Sequence, residues 1–186
     1  MLSLRPLAGL ALLIASTAVA AVLPPGVFTL RTAEPAEMHA WMHALVGEWE
    51  GSMKISRPGM PEMEFPITET FHPVGERWIT SDLVGDLMGH PYHGHGVFGY
   101  DGKGEALVGT YCDSMLAHLA VMSGGYDEDQ KSVRMKWEAP VAGRKGLETH
   151  RSEQRLRGDT LDRLYFEGEG TSEILVMTIS TRRKID

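Results

Sequence analysis

The sequence predicts an all-β fold: a roughly ten-stranded antiparallel up-and-down barrel preceded by one N-terminal helix. Three observations predict it. Only one segment carries a helical apolar period; after Gly47 the period falls to two; and turn signals then recur about every 8–12 residues. A two-sheet sandwich also accommodates such strands. A closed meander accommodates them better, because consecutive short turns need no long crossovers and closure removes exposed edges.

The helix is expected over about residues 35–46. Pro35 suits a first helical turn, and Glu34 and Glu37 complement the positive end of the helix dipole. Met38, Trp41, Met42 and Leu45 fall at i, i+3, i+4 and i+7, one apolar face, and Gly47 supplies the stop. Strands are expected at about 48–56, 64–71, 76–84, 92–100, 105–113, 118–126, 131–138, 146–156, 161–168 and 171–181. Asp101-Gly102 and Gly158-Asp159 are favourable hairpin turns, and Val133, Met135 and Trp137 alternate with polar neighbours as a half-buried strand requires. The strand at 146–156 is unusual. Glu148, His150, Ser152 and Gln154 share one face and Thr149, Arg151, Glu153 and Arg155 the other, so either face brings polar groups inward. Such groups need a wet interior, an ion pair such as Arg151 with Glu167, or a ligand's carboxylate, for which Arg151 is the natural anchor.

The organisation is expected to be a signal peptide (1–20), a linker (21–33) and one barrel domain (34–186). Arg5, the apolar run Leu7–Ala15 and Ala18-Val19-Ala20 form the n-region, h-region and cleavage site of a secretory signal, which predicts a periplasmic or secreted protein. The run is too short for a membrane span, so no membrane association is expected once it is removed. The chain has 186 residues, with 25 Asp+Glu against 18 Lys+Arg and a net charge of -7. That acidity disfavours nucleic acid and anionic lipid as partners. Cys112 is the single cysteine, so an internal disulfide is excluded and the core must supply the stability.

Gly47-Glu48-Trp49 resembles the G-x-W signature of calycins, the lipocalin-like and fatty-acid-binding-protein-like barrels. The resemblance implies that Gly47 and Trp49 close the barrel bottom, with Arg182 or Arg183 covering the Trp. Further stretches, Gly89-His90-Pro91-Tyr92-His93-Gly94-His95-Gly96, Gly99-Tyr100-Asp101, Val108-Gly109-Thr110-Tyr111-Cys112-Asp113-Ser114-Met115 and Gly125-Tyr126-Asp127, resemble in order the bacterial family called domain of unknown function 1579. The likeness spans most of residues 39–184. Tyr92 stands where that family has Phe, and Tyr111 where it has Trp, each adding a hydroxyl. The family implies a barrel and no established activity.

Among chemistry-bearing residues, His93 and His95 share a strand face about 7 Å apart. With a third ligand from Asp113, Glu167 or His150 they would form a metal or haem site, although two imidazoles alone bind weakly. His39 and His43, interleaved with Met38 and Met42, suit copper, but core packing explains the methionines more simply. Asp113-Ser114 with His118 lacks the elbow and spacing of a nucleophilic triad. A lumen-based enzyme would draw on His95, Asp113 and Glu167. No catalytic or cofactor motif occurs, so binding is favoured over catalysis and no cofactor is expected. The sequence therefore points to an exported protein that binds a small hydrophobic or amphipathic molecule, with Tyr92, His93, His95, Tyr111, Trp137, Arg151 and Tyr165 lining the lumen.

Overall fold

A computed structural model describes residues 35–185 except Asp129 and Ala142. The expected signal peptide and linker lie outside the described residues. Helix α1 (Pro35–His43) leads into β1 (Gly47–Ile55), β2 (Met63–Val74), β3 (Trp78–Leu87), β4 (His90–Asp101) and β5 (Ala106–Asp113). The chain continues through β6 (Ala120–Asp127), β7 (Ser132–Pro140), β8 (Leu147–Arg157), β9 (Thr160–Glu167) and β10 (Ile174–Arg183). Each strand pairs antiparallel with the next, and β1 pairs with β10 to close a ten-stranded barrel. The expected fold class is therefore observed. The helix is shorter than its apolar period suggested, because its last bonds tighten, Leu45 N–H donating to Met42 O and Val46 N–H to His43 O.

Period two places alternate side chains inside. β2 turns Phe65, Ile67, Glu69 and Phe71 inward, and Thr68 and His72 outward. Met38 and Met42 of α1 and Leu45 just after it join Trp49, Phe71, Ile79, Tyr100, Leu107, Val133 and Leu161 in a core that fills one end of the barrel. The copper reading of the helix gives way to this packing: Met38 and Met42 are buried, His39 meets the edge of Tyr100, and His43 Nε2 bonds Glu76 O.

Trp49 is fully buried and plugs that end, its indole N–H donating to Leu45 O at 2.7 Å. Arg183, paired with Trp49 across the β1–β10 seam, lays its guanidinium 4.4 Å from the Trp49 ring. It also donates to Val46 O at 2.7 Å and Ala44 O at 2.5 Å, satisfying carbonyls that the helix end leaves orphaned. Of the two candidate arginines Arg183 therefore covers the Trp; Arg182, one residue away, faces outward and is exposed. Gly47 has φ 126°, and a Cβ there would meet Arg183 Nη1 at 2.9 Å, so both backbone and neighbour require glycine.

Candidate functional site

The opposite end, the mouth, is bounded by the β1–β2, β3–β4, β5–β6, β7–β8 and β9–β10 connections. Its interior has two unlike walls. On one side Met53, Phe65, Ile67, Leu83, Tyr92 and Ile179 form an apolar cluster with Ile55, Leu87 and Met177. On the other, β7, β8 and β9 contribute Trp137, His150, Tyr165 and Glu167, Tyr165 reaching over to pack against the apolar cluster as well.

His150 carries the chemistry of that second wall. Its ring stacks on Trp137, with centroids 5.6 Å apart and planes 17° from parallel, and Trp137 meets Tyr165 edge-on at 6.3 Å. The Nε2 of His150 is buried without a hydrogen-bond partner. Burial pushes the imidazole pKa below its ordinary value of 6.5, against the raising influence of the Glu167 carboxylate. The ring is therefore neutral at neutral pH, with a nitrogen free for one hydrogen bond. Because the folded pKa is depressed, the unfolded chain takes up this proton first, and the folded state loses stability as pH falls below 6.5 toward the folded value. Denaturant melts between pH 7 and pH 5 should show a smaller acid loss for His150→Gln than for the parent chain; equal losses would contradict this assignment.

Glu167 is buried beside His150 and accepts from Arg57 of the β1–β2 connection at 2.5 Å, a tie along the rim past β10. Beneath lies a second buried pair. Arg163 donates through both terminal nitrogens to Glu69, which also accepts from Ser81 Oγ at 2.5 Å. Burial alone would lower the Arg163 pKa, but the Glu69 charge outweighs it and holds the guanidinium above its ordinary value. Arg163 Nε is left without a partner. Tyr92 and Tyr111 join hydroxyls at 3.1 Å, and burial raises the pKa of both as well as that of Tyr165, keeping all three phenols neutral. Gly94 makes this possible: a Cβ there would stand 1.8 Å from the Tyr111 hydroxyl.

The structure thus brings together Tyr92, Tyr111, Trp137 and Tyr165, and separates three other expected lining residues. His93 and His95 alternate with the inward-facing Gly94 and Gly96 and therefore point outward; both are exposed. They line a depression of about 310 Å³ on the outer wall with Asp82, Cys112 and Ser114, where His95 Nδ1 bonds Asp82 at 2.7 Å. Among the described residues no three His, Cys, Asp or Glu side chains are placed to hold a metal ion. The lumen enzyme built on His95, Asp113 and Glu167 does not converge either, since His95 is outside while Asp113 accepts from the Met115 and Leu116 amides.

Arg151 also faces outward. It pairs with Glu173 at 2.7 Å and Glu153 at 2.6 Å and lies 4.0 Å from the Phe166 ring. Arg134 and Arg155 reach the same Glu153. This ladder accounts for the polar outer face of β8, and the inner face is polar because it carries His150 and Ser152. The expected pairing of Arg151 with Glu167 is replaced by Arg57 with Glu167 and by Arg163 with Glu69. Glu69 and Arg163 escaped the sequence reading, although each interrupts an apolar alternation: Phe65, Ile67, Glu69, Phe71 in one strand and Leu161, Arg163, Tyr165 in the other.

These features define a closed ten-stranded barrel, sealed by a helix and a Trp–Arg plug, whose other end holds a polar-aromatic wall opposite an apolar one. The chain belongs to the DUF1579 family, described as a protein of unknown function, whose profile matches residues 34–183. No curated protein matches it. Among solved structures it is similar to Rv2717c from M. tuberculosis, with a TM-score of 0.63 and 15% identity over 82% of this chain and 100% of that one. At that identity the likeness concerns the fold.

Proposed function

We propose that this protein binds a small amphipathic molecule in the mouth-side half of the barrel, its apolar part against Phe65, Ile67 and Leu83 and its polar group against His150. The observation that carries this reading is the buried, unpartnered Nε2 of a neutral His150 stacked on Trp137. A buried polar atom without a partner costs about 1–3 kcal/mol, which a ligand's hydrogen bond recovers. The interior guanidinium of Arg163 is already neutralised by Glu69, so the polar group this site suits is an uncharged hydrogen-bonding one, such as a hydroxyl. This revises the expectation of an acidic head group anchored by Arg151. The Trp49–Arg183 closure supports a calycin-like barrel, and the N-terminal signal pattern supports export to the periplasm or beyond.

Titration of the protein with dodecanol and with dodecanoate, followed by tryptophan fluorescence, tests the reading. The alcohol should bind more tightly than the carboxylate, and His150→Ala should weaken it about tenfold, the equivalent of one hydrogen bond. Binding of neither probe, or an unchanged affinity in His150→Ala, would overturn it.

A further inference from the structure

We propose that the mouth of the barrel docks on the surface of a zwitterionic lipid bilayer. At four of its five connections, or on the strand residues beside them, the mouth exposes a large apolar side chain: Met60, Met88, Leu116 and Leu119, and Leu147; Leu175 completes the ring beside the fifth. Met88 is 75% exposed and Leu147 57%, so these side chains meet solvent rather than one another. An apolar collar that encircles an entry is unlike singly scattered surface residues, which need no explanation.

The connections at the two ends differ in charge. The mouth connections carry Arg57, Arg144 and Lys145 against Glu62, Glu169 and Glu173, a balanced set. Most of these are also paired locally: Arg57 with Glu167, Arg144 with Glu148, Glu62 with Lys54, Glu169 with Lys136 and Glu173 with Arg151. The connections at the plugged end (75–77, 102–105, 128–131 and 158–159) contain no large apolar residue and are net acidic. Among the described residues, exposed large apolar side chains there are confined to Val74 and Trp78 beside one turn and Ile185 near the C-terminus. The mouth is thus the apolar end, and its connections themselves carry no net charge, which suits an uncharged lipid interface. This docking is apolar, unlike the attraction to anionic lipid that the net charge disfavours. It rests on the reading that the interior holds a poorly water-soluble ligand, since an entry pressed against lipid lets such a ligand transfer without crossing water.

The test uses the chain without the apolar segment 1–20, with phosphatidylcholine vesicles and an environment-sensitive fluorophore on a single cysteine, Met88→Cys or Glu76→Cys, each in a Cys112→Ser background. The Met88 probe should shift to the blue on adding vesicles and be quenched by spin-labelled lipid, while the Glu76 probe at the plugged end should do neither. Leu116→Ser/Leu119→Ser/Leu147→Ser should weaken vesicle binding at least tenfold and leave the melting temperature and dodecanol affinity unchanged. Equal responses at both ends, binding only to anionic vesicles, or a Met88 response explained by self-association in sedimentation would each overturn docking. Vesicle docking without dodecanol binding would instead overturn the lumen reading and leave the surface assignment standing.

Discussion

Arg163→Met should destabilise the protein by about 3–5 kcal/mol, because it leaves the Glu69 carboxylate buried without its cation. For a domain of this size that is a fall in melting temperature of roughly 10 °C. Ser81 Oγ still donates to Glu69, but one hydroxyl does not replace a two-pronged guanidinium. The double variant Glu69→Leu/Arg163→Met should recover most of the loss, since removing both members of a buried pair is often neutral. Denaturant unfolding of the two single variants and the double measures this directly. A single variant within 1 kcal/mol of the parent, on the order of an exposed pair, would show that the charges are not a buried unit.

Trp49→Ala should be of comparable size, about 3–5 kcal/mol, because it empties a fully buried site between the helix and the barrel. It also strips the face on which Arg183 rests. Arg183→Met should cost less, about 1–2 kcal/mol, through the cation–aromatic contact and the freed carbonyls of Ala44 and Val46. Residues in contact do not act independently, so a double-mutant cycle on Trp49 and Arg183 should return a coupling of at least about 0.5 kcal/mol. A coupling of zero would mean that the arginine serves the helix end alone.

The barrel was legible because alternation and turn chemistry are local properties, and every expected strand appears within a few residues of its place. The site was half legible. Tyr92, Tyr111, Trp137 and Tyr165 are large aromatics whose burial follows from hydrophobicity, and they do converge. His93 and His95 misled because in Tyr92-His93-Gly94-His95-Gly96 the informative residues are the glycines, which leave room inside for Tyr111 and Phe98. Alternation in fact sets Tyr92, Phe98 and Tyr100 on the face opposite His93 and His95, but the two glycines between them blank out the middle of that aromatic face. Arg151 misled because both faces of β8 are polar; only the pairing with β7 and β9 decides which one looks inward. Glu69 and Arg163 were detectable in principle as single charges of opposite sign on otherwise apolar faces. Their partnership was not, because they lie 94 residues apart and meet only across the interior.

The seam between β1 and β10 bears on how the molecule is made. The Arg183 side chain reaches back to Val46, 137 residues earlier, so the enclosure is completed only when the final strand emerges from synthesis. Until then β1 is an unzipped margin with free amides and carbonyls, able to recruit a foreign strand. Nascent or C-terminally truncated chains are thus the aggregation-prone species, and distant pairing of this kind makes folding slow in comparison with helical proteins of equal length.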